Sequence, residues 1–253
     1  EANVSPATLT FAPAAWNVPQ TVTATGVNDW LIDGSQTTSV TVSVVDAASD
    51  DDFDAVADQS VSVTTADDDA AGFTLNKTAV TVAESGTTAT FTVALAAQPD
   101  TDVVLEVSSG DVGEAVVSPN LLTFTPAGWN VPPTVTVTGV DDWRIDGSQL
   151  PQLTVRVVDG SSDDKFDSVA DQFVAVTTTD NDVTGFTLSK PTAVVSETGS
   201  QDTFTVVLTA QAGSDVVIGL SQGAADWYSE LGPIVRFNSE NRIDARNGGV
   251  YAA

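Results

Sequence analysis

Threonine and valine alternate along much of this chain. In Thr21-Val22-Thr23-Ala24-Thr25 and in Thr134-Val135-Thr136-Val137-Thr138 every second residue is apolar. That is the period-two pattern of a strand with one face in a core and the other in water. Threonine suits the wet face, because its branched Cβ holds χ1 stiff in extended backbone while the hydroxyl stays solvated. The pattern predicts strands at 73–76, 79–83, 89–96, 102–108, 120–125, 133–139, 152–158 and 172–179, with Gly, Pro, Asp and Ser in the gaps. Seven or eight short antiparallel strands in about 110 residues predict a two-sheet sandwich of immunoglobulin type.

The pattern also repeats as a whole, with an offset of 113 residues. Ser5-Pro6 returns as Ser118-Pro119, and Trp16-Asn17-Val18-Pro19 as Trp129-Asn130-Val131-Pro132. Asp29-Trp30 and Ile32-Asp33-Gly34-Ser35-Gln36 return as Asp142-Trp143 and Ile145-Asp146-Gly147-Ser148-Gln149. From residue 5 to 72, 45 of 68 positions carry the same residue one period later, which makes each period a unit of domain size. The expected organisation is the second half of a unit at 1–71, a complete unit at 72–182, and the first half of a third at 183–253 that diverges after about 215. The fold class expected is all-β, a tandem of immunoglobulin-like two-sheet sandwiches.

Composition narrows the functions open to such an array. With 35 Asp and Glu against 8 Lys and Arg, the formal charge is -27. A field of that sign repels nucleic acid and anionic lipid, so neither is an expected partner. Acidity alone can mean disorder, but 42% of the residues are hydrophobic and they fall into strands, so the chain is expected to fold. There is no Cys, His or Met. That excludes thiol and imidazole catalysis, zinc held by His or Cys, and the inter-sheet disulfide of antibody domains, which leaves packing and metal to hold the sheets. No run of 18 apolar residues is present, so no membrane-spanning helix is expected. The chain begins at Glu1 and shows no leader, which reads as a mature or excised fragment.

The carboxylates cluster at three places per repeat. One cluster follows a strand: Asp141, Asp142 and then Asp146, matched by Asn28, Asp29 and Asp33. A second closes the unit: Asp180-Asn181-Asp182, matched by Asp67-Asp68-Asp69. The third is a lone acid in an early strand, Glu84, matched by Glu197. Adjacent like charges in a loop are costly unless they stay fully solvated or a cation bridges them. Oxygen donors with no nitrogen or sulfur ligand point to Ca²⁺, which takes six to eight oxygens in flexible geometry. A fourth acidic loop, Asp50-Asp51-Asp52 with Asp54 and Asp163-Asp164 with Asp167, reads as a solvated charge run, a metal site being the alternative.

These motifs resemble the Calx-beta domain, known from sodium–calcium exchangers and bacterial surface proteins. The likeness rests on Val82-Ala83-Glu84, on Leu122-Thr123-Phe124 with Pro126, on the run from Val135 to Asp142, and on Asp180-Asn181-Asp182. It implies that Glu84, Asp141, Asp142, Asp180 and Asp182 meet at one end of the sandwich and bind calcium beside the next module, with Asp146 as an extra ligand. By the repeat, Asp29, Asp33, Asp67, Asp68, Asp69 and Glu197 are the candidate ligands of the flanking units. The family's Gly-x-Asp-Tyr segment is absent, and either Asp111 or Glu114 stands in for its acid. Asn28 and Asn181 replace acids and lower the charge of the ligand set.

Trp30 and Trp143, directly after the Asp pairs, either cover the end of a unit or form a platform for a sugar ring or a neighbouring subunit. Trp16 and Trp129 read as core or turn staples. The last 35 or so residues, from Gly223 through Trp227 and Tyr228 to Tyr251, resemble the start of a lectin-like jelly roll. Arg236, Arg242 and Arg246 there could face an acidic glycan or an acidic module. The expected function is an extracellular or cell-surface, non-enzymatic, calcium-binding structural or adhesive array. Its expected partners are further copies of itself, joined head to tail into a filament by complementation of the half-units. The alternative is a polysaccharide-binding spacer of a larger secreted protein.

Overall fold

The computed structural model describes residues 2–221 and the backbone of 234–237. Four strands precede the middle unit: β1 (Ala2–Ser5), β2 (Thr23–Gly26), β3 (Gln36–Val42) and β4 (Gln59–Thr65). Nine build it: β5 (Phe73–Leu75), β6 (Ala79–Ala83), β7 (Thr88–Leu95), β8 (Val103–Ser109), β9 (Ala115–Ser118), β10 (Leu121–Phe124), β11 (Thr134–Gly139), β12 (Gln152–Val157) and β13 (Gln172–Thr179). Four follow: β14 (Phe186–Leu188), β15 (Val206–Leu208), β16 (Val216–Gly219) and β17 (Ile234–Phe237).

The middle unit is an immunoglobulin-like sandwich of a five-stranded sheet, β10-β8-β12-β13-β6, and a four-stranded sheet, β5-β7-β11-β9. Within these sheets β6 joins β13 in parallel, and the remaining pairs are antiparallel. Alternation along each strand sends one set of side chains inward: Val103, Leu105 and Val107 from β8, Leu153, Val155 and Val157 from β12, Phe91, Val93 and Leu95 from β7, and Val135 and Val137 from β11. The interleaved threonines face out, so the chemistry of the repeat and the layering of the sandwich are one pattern.

One strand was not legible in the pattern. β9 is four residues long and ends at Pro119, and the sequence from 115 to 124 looks like an irregular approach to a single strand. Instead the chain changes sheets across Pro119 and Asn120. β9 pairs with β11 in one sheet, and β10 pairs with β8 in the other.

The flanking segments repeat pieces of this sandwich in register. Ala2↔Gly26 of β1 and β2 reproduces Ala115↔Gly139, and Ser39↔Ser62 of β3 and β4 reproduces Gln152↔Ala175. Phe186↔Leu208 reproduces Phe73↔Leu95. Val216↔Phe237 reproduces Val103↔Phe124, so β17 takes the place of β10 beyond the point where the sequence reading ended the repeat. Between Ile234-Val235-Arg236-Phe237 and Leu121-Leu122-Thr123-Phe124 one phenylalanine and the apolar spacing survive, too little for a search for identical residues. Gly223 to Tyr228, and the stretch holding Arg242, Arg246 and Tyr251, lie outside the described residues, as does the side chain of Arg236.

Among the described residues, every buried hydrophobic side chain belongs to the span 73–176. Trp129 packs half-buried against that core, as expected. Trp16, its counterpart, is 71% exposed, and among the described residues no strand covers it. In the acidic loops Asp50, Asp51, Asp52, Asp54, Asp164 and Asp167 are exposed, as a solvated run requires, and Asp163 is the exception. Asp163 is buried and accepts from the backbone N–H of Asp100 (2.6 Å), Thr101 (3.1 Å) and Lys165 (2.9 Å), and Lys165 Nζ reaches Asp100 at 2.7 Å. Burial alone would raise its pKa, but those N–H groups outweigh burial and hold it below the usual carboxylate range. Asp163 thus ties two loops at the pole where β8 begins. Asp163→Asn keeps the shape and weakens three charge-assisted bonds, so it should cost about 1 kcal/mol in urea unfolding whether or not calcium is present. A calcium-dependent loss would instead place a cation in this loop.

Candidate metal centre

The opposite pole gathers the acids that the sequence scattered. Glu84 follows the last residue of β6, and its N–H donates to Thr179 O at 3.1 Å. Glu114 precedes β9, and its carbonyl accepts from Val140 N–H (2.9 Å) and from the buried Thr178 hydroxyl (3.3 Å). The backbone of each glutamate is therefore held by strand ends. Two loops complete the pole. Asp142 Oδ1 accepts from Arg144 N–H at 2.7 Å, which turns the chain after β11. Asp180 accepts from Asp182 N–H (2.7 Å) and from Gly147 N–H (2.9 Å), joining the loop after β13 to the loop before β12. Gly147 has φ +74, a left-handed turn that glycine adopts without strain.

Two triads result. Carboxylate oxygens of Glu84, Asp180 and Asp182 lie within 4.8 Å of one another, and so do those of Glu114, Asp142 and Asp146. Glu84 is 1% exposed and Glu114 8%. Glu84 Oε2 accepts from Asn181 N–H at 3.2 Å, but Glu84 Oε1, Glu114 Oε2 and Asp182 Oδ2 are buried without a partner. Unpartnered buried carboxylate oxygens are expensive, and here they sit among further negative charges. Burial, and then Asp180, Asp142 and Asp146, push the Glu84 pKa up. Burial, and then Asp146, Asp142, Glu84 and Asp111, do the same to Glu114. Asp182 is raised by burial and then by Asp141 and Asp180, whereas the backbone N–H groups of Asp182 and Gly147 hold Asp180 low.

This donor set fits a hard divalent cation. All its ligands are oxygens, and oxygens bound to one calcium at about 2.3–2.6 Å lie within about 5 Å of each other. Glu84, Asp142, Asp146, Asp180 and Asp182 are brought together as the sequence reading expected. Asp141 is not in either triad; its Oδ1 accepts from Asn181 Nδ2 at 3.3 Å and borders the site. Of the two stand-ins left open, Glu114 faces the site, and Asp111 is occupied with Gly113 N–H at 2.9 Å. The signal for Glu114 was weak in sequence because it lies in a bend just before β9, the one strand the pattern did not show.

In the first unit Asp29, Asp33, Asp67, Asp68 and Asp69 line one cavity of about 300 Å³. Asp67 accepts from Asp69 N–H (2.8 Å) and Gly34 N–H (2.7 Å), the arrangement of Asp180 repeated. Glu197, the counterpart of Glu84, is exposed in the third unit, where no other predicted ligand accompanies it.

The loop carrying Asp142 is also a junction. Trp143 has φ +79, a left-handed conformation that strains a bulky residue, and its carbonyl accepts from Gln211 N–H at 2.6 Å in the third unit. One repeat earlier, Trp30 O accepts from Gln98 N–H at 2.7 Å, and the Trp30 ring lies 5.9 Å from the Trp129 ring at 48°. Trp30 therefore meets the neighbouring unit of the same chain, and the contact is aromatic.

No family model and no curated protein matches the chain. Among solved structures it is similar to an apo-form Calx CBD1 domain, at 16% identity over 45% of this chain and 100% of that one, TM-score 0.35. It is also similar to CBD12 from CALX1.2, at 16% identity over 68% and 72%, TM-score 0.35. A third is domains 4 and 5 of the S-layer protein SbsC, at 23% identity over 48% and 59%, TM-score 0.31. Both the immunoglobulin-like sandwich and the acidic pole stand on the chain's own geometry.

Proposed function

We propose that the chain is a calcium-binding, non-catalytic spacer of an extracellular or cell-surface array, with structural or adhesive work. The observation that carries this reading is the acidic pole, where three buried carboxylate oxygens lack partners inside two triads of carboxylates. A divalent ion would supply the missing partners and cancel the repulsion. Glu84, Asp180 and Asp182 would hold one ion, and Glu114, Asp142 and Asp146 a second. Paired carboxylates can also hydrolyse glycosides, but here the acidic loops of the middle unit recur in the first unit with a junction attached to each, which suits a spacer.

The direct test is a calorimetric titration of the full chain with calcium, counting sites. Heat from saturable binding that Glu84→Gln and Asp182→Asn remove supports the reading; no saturable heat rejects it. A second expectation concerns shape. Asp142 fixes the turn that presents Trp143 to Gln211, so calcium should narrow the range of angles between units. Small-angle scattering should report a maximum dimension that is longer and better defined in calcium than in chelator. Trp30→Ala should reduce that difference, and identical profiles in both conditions would separate the metal from the junction.

A further inference from the structure

We infer that Lys165 is a cation which the middle unit holds against the acidic pole of the first, so that the first junction is an electrostatic latch between the loop of Asp33 and the turn of Lys165. The latch needs no bound metal, so its test is independent of the calcium reading of the middle unit.

The junction brings the two loops together. Leu31 forms a parallel bridge with Gln98, and Gln98 N–H donates to Trp30 O at 2.7 Å. Gln98 Nε2 donates in turn to Pro126 O at 3.1 Å, which anchors the connection from β7 to β8 within its own unit. The Trp30 ring tilts against Trp129, and Ile32 packs on the core of the middle unit. On one side of this contact Asp33 comes directly after Ile32, and Gly34 N–H, the next donor along, reaches Asp67 at 2.7 Å. On the other side Asp100 lies two residues after Gln98 and holds Lys165 Nζ at 2.7 Å. Acids and the anchor of a cation thus stand on the two sides of one contact.

The charges act across it in both directions. Asp100 first, and then Asp163 and Asp33, raise the Lys165 pKa. The N–H groups of Asp69 and Gly34 first, and Lys165 after them, lower that of Asp67. The first unit has crowding to relieve: burial, and then Asp68, Asp67, Asp29 and Asp33, push the Asp69 pKa up. An ammonium fixed at the rim offsets that crowding without an ion drawn from solution.

The turn itself does not call for lysine. Asp163-Asp164-Lys165-Phe166 repeats Asp50-Asp51-Asp52-Phe53, so Lys165 stands where the first unit has Asp52. Both turns close in the same way, with Asp50 accepting from Asp52 N–H at 3.0 Å and Asp163 from Lys165 N–H at 2.9 Å. The backbone therefore accommodates aspartate here as well as lysine. Nor does the pair with Asp100 require it, because that carboxylate is 59% exposed and exposed pairs add little to stability. What lysine brings is a positive charge on the face that meets Asp33 and Asp67.

The junction carries its own reporter. Two indoles 5.9 Å apart and tilted by 48° couple as a signed exciton pair in circular dichroism, read as the difference between the chain and its Trp30→Phe variant. The measurement uses the full chain, stripped of metal, at low salt. Lys165→Asp and Asp33→Lys should each lower the ratio of closed to open junctions by about twofold or more, and the two together should restore it. Asp52 shows that the first substitution suits the turn, and the urea midpoint of the middle unit reports any loss of folding separately. Lys165→Gln, which removes the charge without reversing it, should give a smaller loss than Lys165→Asp. Rescue by the exchanged pair cannot come from the bond to Asp100, because Asp33 belongs to the other unit. Single variants that keep the full exciton signal, or an exchanged pair no better than the weaker single variant, overturn the latch.

Discussion

In calcium, Glu84→Gln should lower the melting temperature of the middle unit, and in metal-free buffer the same substitution should raise it. The change of sign follows from what Glu84 does in each state. Without a cation it is a buried carboxylate with one unpartnered oxygen, crowded by Asp180, Asp142 and Asp146. Glutamine removes the charge and retains an oxygen for the bond from Asn181, so folding loses a penalty. In the proposed calcium complex the carboxylate is a ligand. A cation that binds only the folded state stabilises it by about 2.7 kcal/mol at a hundredfold excess over Kd. For a unit of this size that is about 10 °C in Tm. Losing one charged ligand, and with it tenfold or more in affinity, returns at least about 1.4 kcal/mol of this gain. Asp111→Asn is the control, since its carboxylate bonds Gly113 and belongs to neither triad. Effects of one sign in both conditions would show that Glu84 is not a ligand.

The sandwich could be read from the chain because its two strongest signals agree. Alternation of valine and threonine marks the faces, and the 113-residue offset marks the unit. The features that stayed hidden share a cause. β9 and Glu114 lie where the chain bends between sheets, and a bend has no period. β17 is defined by its pairing to β16, and pairing outlasts identity: Arg236 stands where Thr123 stood, in the same register. The acidic pole was legible as a list of residues but not as two triads, because grouping depends on which loop ends face one another. The role of Asp163 could not be told from that of its neighbours either. Asp163 and Asp164 are adjacent acids, yet Asp163 turns inward to the backbone of Asp100 and Thr101.

Stripped of metal, the middle unit should be more stable in mild acid than at neutral pH. Glu84 and Glu114 are raised above 4.5, and Asp182 above 3.8, by burial first and by each other's surroundings second. Between those ordinary values and the raised ones, the folded state holds protons that the unfolded chain has released. Unfolding free energy therefore falls as pH rises through this window. Asp180 and Asp163 act in the opposite sense. Their pKa values are lowered, so the stability they contribute is present above 3.8 and disappears as pH falls through their folded values. The two sets together place the optimum in mild acid, with losses in strong acid and towards neutrality. Calcium bound as proposed should reverse the neutral limb. It would bind the ionised carboxylates and displace their protons, so its stabilisation should grow with pH until the ligands are fully ionised. Urea midpoints followed upward in pH from the ordinary carboxylate values should fall for metal-stripped protein and rise for the calcium-loaded form. Stripped protein is preferable to a chelator buffer, because carboxylate chelators themselves lose calcium in acid. Midpoints that climb towards neutral pH in the stripped protein would mean that the pole carries no net electrostatic penalty, and the case for a cation there would fall with it.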